Sequence, residues 1–511
     1  MIVTRDLINK NIAFKDIIFR DDDTKAITRE KTFFDDIIIK KYSFDELSEL
    51  IDICKNALQR NGAKPGETAL IGELAGKMQT ALVFACTELG LTINIIDHNR
   101  PDHWQNTDYI DIKTKLLLPI DYYLVDKNNR NIISMSNFNI FSKVCNKVIS
   151  MSDEEIDTTP NNTIGATKDS ILMKCTSSGT TGIPKVITHN HEFMSSLIQR
   201  NSKFFDGSVF VIYNLNHGSS PATYFFPALA SKNTEKILSA SLHDIVSHST
   251  GKPKVRTKIK ELFKNRIKFD HLMIPYPSVI EPFLKSGIYP ETTLYTLTTI
   301  DKTWKYYQRD GRIKDIISIF GSNETCGPIF INKLSDKNFD PHYYSLVDKF
   351  YKVELVDGKY HPEVKREDSL EVSLPIYNKK VNTNDIFLIT EDGRYFHKGR
   401  NDLLRVNGVE IPTDYQTKIG SLIIGDLVID TINNALYLAI WEEYDKLEEI
   451  VKTIDQYMKS YSNGSHYISK YQVLNHNDFE AGVKLDQEIL RDYFRDEQNN
   501  YQTVDQIDKK S

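Results

Sequence analysis

The sequence predicts an α/β protein, with a large N-terminal layered α/β domain followed by a smaller α+β C-terminal one. Three observations carry this expectation. At 511 residues the chain exceeds the size at which a single hydrophobic core stops growing, so more than one domain is expected. Helical and strand-like apolar patterns alternate through most of the chain, the rhythm of a sheet layered with helices. Near Asp385 the composition turns polar, and about one small domain's worth of chain follows.

The elements can be read in order. "YSFDELSELIDICKNALQRNG" opens with Ser43 and carries Glu46 three residues on, a capping-box spacing. Leu47, Leu50, Ile51, Cys54 and Leu58 then recur at helical spacing, and Asn61-Gly62 ends the run. "ETALIGE" reads as a short strand. The most apolar window, "TALVFACTELGLTINII", carries Glu88 and Asn94 and reads as a buried helix and strand rather than a membrane span. The pattern returns with strand "ILMKC", a loop, strand "KVITH" and helix "HEFMSSLIQRNSKFF". "IKFDHLMIPYPSVIEPFLKSG" and "IKDIISIFGSNETCG" each run from an apolar strand into a polar loop. "EDGRYFHKGRND" is hairpin-like around Asp392-Gly393. The tail "DEQNNYQTVDQIDKKS" is expected to fray.

Composition narrows the function. Hydrophobic residues at 40% and charged residues at 26% suit a globular chain. A net charge of -6 offers no general attraction to nucleic acid or to an anionic membrane, so neither is expected as a partner. The five cysteines are scattered, with no CxxC pair, which suggests neither a zinc site nor a disulfide framework. With no apolar signal core in "MIVTRDLINKN", a reducing, cytoplasmic setting is expected.

One stretch concentrates chemistry: "CTSSGTTGIPKVITH". Gly179 and Gly182 let successive backbone N–H groups turn toward one point. Ser177, Ser178, Thr180 and Thr181 add hydroxyls, and Lys185 adds a positive charge. Such a concavity suits phosphate, although a Ser/Thr/Gly surface loop between two strands has the same composition. It is not a Walker loop, because Lys185 follows Pro184 and precedes Val186. The echo "STGKPK" at 249–254 lacks a preceding apolar strand and reads as a turn before a basic surface helix. In "HNHEF", His189 and His191 stand two apart and share no helix face, so packing or capping is expected of them rather than metal binding.

"TSSGTTGIPK" resembles the phosphate loop of the adenylate-forming superfamily, which includes acyl-CoA synthetases, peptide-synthetase adenylation domains and luciferases. Val186 stands where the family usually has Gly. Further resemblances follow in family order. "IFGSNETCG" is similar to the Tyr-Gly-x-Thr-Glu segment. That likeness implies Phe320 against adenine, Gly321 and Asn323 near the nucleotide, Glu324 as magnesium ligand, and Ser322 toward the acid. "NTNDIF" implies Asp385 on the ribose hydroxyls. "GRNDLLRVNGVEIP" implies Arg400 at the ribose, Asp402 as hinge and Gly408 in a thiol channel, with Arg405 where Lys is usual. "EAGVKLD" places Lys484 as the catalytic lysine, one residue further from Gly482 than usual because of Val483. Thr298 and Thr299 fall where small residues usually underlie the adenine. "NLNHGSSP" implies His217 and Gly218 in the acid pocket.

The resemblance implies ATP and Mg2+ as cofactors and a small-molecule carboxylic acid as substrate. It also implies CoA or phosphopantetheine as acceptor, the latter on a carrier protein. Residues 1–400 would bind acid and ATP, and 401–511 would form a mobile domain carrying Lys484, joined through the hinge. "NLNHGSSP" offers no acid to meet an α-ammonium, which tilts the expectation toward an acyl or aryl acid. Two other readings stand beside the acid–thiol ligase. One is an adenylate-forming amide ligase, and the other is a degenerate nucleotide-binding module that has lost catalysis.

Overall fold

The computed structural model describes residues 1–19, 37–72, 76–94, 118–125, 142–176, 186–212, 221–240, 269–273, 292–296, 313–336, 343–361, 364–374, 379–389, 393–400, 405–406, 409–411, 415, 419, 422–423, 425–430, 433–462, 464–474, 480–481, 484–485, 487–496, 499 and 501–503. The fold is mixed α/β, and the chain falls into two compact units. The first comprises Met1–Thr298, Arg312–Ser335 and Leu374–Lys379. The second comprises Thr299–Gly311, Asp336–Ser373 and Lys380–Ser511.

Unit 1 contains β1 (Ala13–Phe19), β2 (Ile37–Tyr42), α1 (Phe44–Arg60), β3 (Thr68–Ile71), α2 (Gly76–Leu89), β4 (Thr92–Asn94), β5 (Ile120–Val125), β6 (Cys145–Ser150), β7 (Ile171–Thr176) and β8 (Val186–Asn190). It continues with α3 (His191–Asn201), β9 (Gly207–Ile212), α4 (Phe226–Ala230), β10 (Thr234–Ala240), β11 (His271–Met273), β12 (Thr292–Thr296), β13 (Ile313–Phe320) and β14 (Phe330–Lys333). One sheet has the order β6-β5-β3-β4-β7-β8, parallel except for the final β7/β8 hairpin. The other runs β14-β13-β12-β11-β9-β10-β1-β2, parallel inside and antiparallel at both ends.

Helix α2 packs against α1 and against β1, β3 and β4, strands of both sheets. Its side chains from Gln79 to Leu89 are all buried, as expected of a helix that is apolar on every face. The predicted capping box is present on α1: Glu46 N–H donates to Ser43 Oγ at 3.2 Å, and Ser43 N–H donates to Glu46 Oε2 at 2.8 Å. Gly62, with φ of 90°, closes that helix.

Charge is buried where α1 meets α2. The Glu88 carboxylate accepts from Arg5 Nε at 2.9 Å, Arg5 Nη2 at 2.8 Å and Lys55 Nζ at 2.8 Å. Lys55 also donates to Asn161 O at 2.7 Å, and Arg5 Nη1 lies 2.8 Å from Asp52 Oδ1. Burial alone would raise the Glu88 pKa, but the hydrogen bonds from Arg5 and Lys55 outweigh it and the net shift is downward.

Unit 2 contains β15 (Tyr343–Leu346), β16 (Lys352–His361), β17 (Val364–Leu374), β18 (Lys379–Ile389), β19 (Tyr395–Arg400), β20 (Arg405–Val406), β21 (Val409–Glu410), β22 (Gly425–Asp430) and β23 (Ala435–Ile440). It ends with α5 (Leu447–Tyr461), β24 (Ile468–Val473), β25 (Glu480–Ala481), β26 (Lys484–Leu485) and α6 (Gln487–Arg495). Strands β16-β17-β18-β19-β15 lie side by side, and the predicted hairpin is β18/β19.

The later residues of unit 2 build cores of their own on the sheet β22-β23-β24. Leu427, Leu436, Leu438 and Ile440 face Val451, Ile454 and Met458 of α5. The alternate positions Val428, Tyr437 and Ala439 face Leu490 and Phe494 of α6. That is the two-residue alternation of a strand covered on both faces. Asp430, fully buried, accepts from Arg495 Nε at 2.8 Å and Nη2 at 2.7 Å, which fastens α6 to β22.

The expectation of a frayed tail is corrected as far as residue 503. Tyr471 and Gln502 exchange both backbone hydrogen bonds, at 2.8 and 2.9 Å, and Lys470 sits 3.8 Å above the Tyr501 ring. A polar segment can dock in this way because an open strand supplies the partners its backbone needs.

Candidate active site

Strand β13 runs parallel to β12 and ends at Phe320, so the chain leaves it at the carboxyl edge where ligands of parallel sheets usually bind. The turn that follows is closely determined. Gly321 can only be glycine, since a Cβ there would meet Gly327 O at 2.3 Å. Ser322 N–H donates to Thr325 Oγ1 at 3.0 Å, and Cys326 N–H donates to Ser322 O at 2.9 Å. The Thr325 hydroxyl reaches Ser322 O at 3.1 Å and Gly327 O at 3.2 Å. Cys326 adopts a positive φ of 52°, held in place by these bonds.

Within this turn the half-buried Glu324 carboxylate has no hydrogen-bond or ion-pair partner among the described residues. Its neighbour Asn323 is committed differently: Nδ2 donates to Thr176 O at 3.0 Å. Phe320 is half-buried, its ring 6.0 Å from that of Phe330.

Thr176 ends β7 and pairs with Val186, which begins β8. Ser177, Ser178, Gly179, Thr180, Thr181, Gly182 and Lys185 lie between them, outside the described residues, as do His217, Gly218, Thr298, Thr299, Asp402 and Gly408. So does the "STGKPK" echo.

Several residues behind the turn were not among the predicted site residues. His189 on β8 is 1% exposed, and its Nε2 donates to Asn323 O at 2.8 Å. Burial pulls its pKa down to about 4, so the ring is neutral. His191 is also buried and held down to about 4; its Nδ1 accepts from Val3 N–H at 3.1 Å. Asn190 caps α3 by accepting from Phe193 N–H at 2.9 Å. The "HNHEF" stretch therefore performs the packing and capping expected of it. Arg200, near the end of α3, donates to Pro328 O at 2.7 Å. Helix α3 thus backs the Glu324 turn from behind.

In unit 2, Asp385 and Arg400 are Cα partners across the β18/β19 hairpin. Asp385 is buried, and His397 Nε2 donates to its Oδ1 at 3.3 Å. For Arg400 and Lys484 only the backbone is described. Lys484 pairs with Ala481 in the β25/β26 ladder, so Gly482 and Val483 are the two residues connecting it. His466 Nε2 donates to Val406 O at 3.2 Å and its Nδ1 lies 2.7 Å from the Tyr415 hydroxyl, which ties β20 into the α5 core.

Residues 22–230 match the family described as AMP-binding enzyme. No curated protein matches the chain. Among solved structures, it is similar to the anthranilate CoA ligase AuaEII in complex with anthranoyl-AMP, at 16% identity and TM-score 0.66 over 89% of this chain and 92% of that one. It is similar to McyG A-PCP complexed with phenylalanyl-adenylate, at 13% identity and TM-score 0.68 over 100% and 98%. It is also similar to the O-succinylbenzoate CoA synthetase MenE from Bacillus subtilis in complex with AMP, at 15% identity and TM-score 0.66 over 96% of both chains. Residues 22–230 therefore match the AMP-binding enzyme family, and the chain shares the fold of these ligase and adenylation-domain structures.

Proposed function

We propose that this chain activates a carboxylic acid with ATP, forming an acyl-adenylate and releasing pyrophosphate, and then transfers the acyl group to a thiol. The observation that carries the reading is the Glu324 turn. It presents a carboxylate with no partner among the described residues, at the carboxyl end of a parallel strand. Beside it, Asn323 is bonded to the strand end from which the 177–185 loop departs. Similarity to chains holding anthranoyl-AMP, phenylalanyl-adenylate, or ATP and magnesium supports the same reading.

The Glu324 carboxylate is a hard oxygen donor of the kind magnesium takes and has no partner among the described residues, so it fits a divalent ion. Bound there, magnesium would offset charge on the phosphate oxygens. The carboxylate of the acid attacks the α-phosphorus, and the bond to the bridging oxygen breaks as pyrophosphate leaves. Backbone N–H groups and hydroxyls at Ser177, Ser178, Gly179, Thr180, Thr181 and Gly182, with Lys185, would hold the phosphates as negative charge grows on them. Phe320 would flank the adenine. Asp385, fixed by His397, would accept from the ribose hydroxyls beside Arg400.

Lys484 would bridge the two anions, and much of the remaining rate would come from holding them in line. His217, Gly218 and Ser322 would line the acid site. A thiolate of CoA or of a carrier protein's phosphopantetheine then attacks the acyl carbon and AMP departs. For that step residues 401–511, which own the cores on β22-β23-β24, would turn about Asp402 and present Gly408. No helix among the described residues is long and apolar enough to cross a membrane. The five free cysteines suit a reducing, cytoplasmic setting.

The test is pyrophosphate release across a panel of carboxylic acids, with acyl groups trapped as hydroxamate in the presence and absence of thiol. Release should depend on one class of acid. Glu324→Gln should lower it and recover in part at raised magnesium. Trapping that ignores added thiol but responds to an added amine would favour the amide ligase. Nucleotide binding without release for any acid would leave only the binding module.

A further inference from the structure

We propose that His189 and Asn323 form a neutral two-bond brace that fixes the Glu324 turn to the root of the 177–185 loop before nucleotide arrives. The proposal rests on the reading of that loop as the phosphate cradle and of Glu324 as the metal ligand. Asn323 precedes Glu324 directly, and Thr176 is the last residue before the loop. The 3.0 Å bond from Asn323 Nδ2 to Thr176 O therefore joins a residue next to the carboxylate to a residue next to the cradle. The second bond, His189 Nε2 to Asn323 O at 2.8 Å, holds the same residue from β8, the other strand of the hairpin. Strands β7 and β8 thus each contribute one contact to one asparagine.

Geometry also fixes the histidine. Facing a carbonyl oxygen at hydrogen-bond distance, Nε2 must carry the proton, and a neutral ring then leaves Nδ1 as a lone pair. That Nδ1 is buried without a hydrogen-bond partner among the described residues. A buried lone pair without a partner is unfavourable, and it is tolerated here for the bond made at the opposite side of the ring. The ring stacks on Phe193 with centroids 5.3 Å apart and planes 23° apart, so it has little freedom to turn. Helix α3 supplies that phenylalanine, and its Arg200 holds Pro328 at the far end of the turn.

The brace makes a specific contribution. On that reading carboxylate and cradle would serve the same phosphates, and ordering them at binding would subtract from affinity. The brace removes that cost in advance, with groups that carry no net charge. His189 and Asn323 are positioning residues for nucleotide binding.

The experiment compares wild type with His189→Phe, His189→Gln and Asn323→Asp, measuring KM for Mg–ATP, kcat of acid-dependent pyrophosphate release, and Mg–ATP binding by calorimetry. Phenylalanine keeps the ring and removes the donor. Aspartate keeps the shape and turns a donor toward Thr176 O into an acceptor. Each should raise KM for Mg–ATP about 3- to 10-fold, the scale of one net hydrogen bond, with a smaller change in kcat. Glutamine restores an N–H near the Nε2 position and should return KM to near wild type. The His189→Phe/Asn323→Asp double variant should fall short of the product of the singles, because both break one brace.

Thermal unfolding of each variant identifies any that fails to fold, and Asn323→Asp with His189→Gln decides the matter if His189→Phe is lost. Unchanged KM in folded variants overturns the brace while the functional reading stands. A His189→Gln as impaired as His189→Phe also overturns it, since the donor then does not matter. A wild-type chain that neither binds Mg–ATP nor releases pyrophosphate overturns the functional reading, and the brace with it.

Discussion

The Glu88 cluster and the His189 cluster are both buried in unit 1, and they differ in charge. Glu88, 2% exposed, sits among two cations, one of them Lys55 at 0%. Each charge is offset by another, so the set holds only while complete. His189, 1% exposed, joins backbone and amide groups that are all neutral. The charged set joins the N-terminus to α1 and α2, whereas the neutral one lies beside the proposed phosphate cradle. Neutral bonds can hold a phosphate site rigid without adding a field that would compete with the phosphates for magnesium.

That difference can be broken or sharpened by measurement. The largest effect is expected from Glu88→Ala, which strands the buried Lys55 and leaves Arg5 only Asp52 as a charged partner. It should lower stability by about 3–5 kcal/mol in urea unfolding, the scale for a buried pair that loses one partner. A loss below about 1 kcal/mol would show that the charged set is no stronger than the neutral one.

Next comes pH. The folded pKa of His189 lies at about 4 against an ordinary 6.5, so between those values only the unfolded chain binds the proton. Its contribution is fully present above pH 6.5 and is lost as the pH falls toward 4, on the order of 3 kcal/mol at one pKa unit per 1.36 kcal/mol. His191 titrates in the same window. Glu88 is also shifted downward, from a lower ordinary value of 4.5, so its contribution is present above 4.5 and is lost as the pH falls below that. Unfolding midpoints from pH 7 to 3 should therefore show two separate declines, and His189→Gln should reduce only the upper one.

The smallest effect belongs to Arg60→Ala. Its pair with Asp157 is 35% and 39% exposed and should leave the urea midpoint unmoved. A measurable shift would mean that exposed charge matters here more than its screening allows.

What could be read in advance was local. Ser43 and Glu46 announced their capping box, and α2 announced its burial, because both signals lie within a few residues of one another. The β7 and β8 strands and the β18/β19 hairpin were legible from short apolar runs and turn residues in the same way. The supports of the candidate site were not. His189 meets Asn323 134 residues away, His191 meets Val3 at 188, and Arg200 meets Pro328 at 128. A bond between a side chain and a distant backbone N–H or carbonyl leaves no periodicity, because nearly any residue offers those groups. Lys55 was equally hidden: it stands beside Cys54 on the apolar stripe of α1 and is buried only because Glu88 receives it. The residues of the proposed cradle, which lie outside the described structure, stood out most plainly in the sequence, since glycine and hydroxyl residues mark a backbone task wherever they cluster.

The position of β1 has a consequence for the time course of synthesis. This strand lies between β2 and β10, and its Asp16 accepts from Ser239, 223 residues downstream. At roughly 5–20 residues per second, the ribosome leaves β1 without its second neighbour for about ten to forty seconds. During that interval a nascent chain can form α1, α2 and the strands between them, but the sheet holding β1 has an open edge. An open strand edge is a template for pairing with other chains. Pausing between residues 42 and 234 should thus raise aggregation of nascent protein, whereas pausing after residue 240 should not.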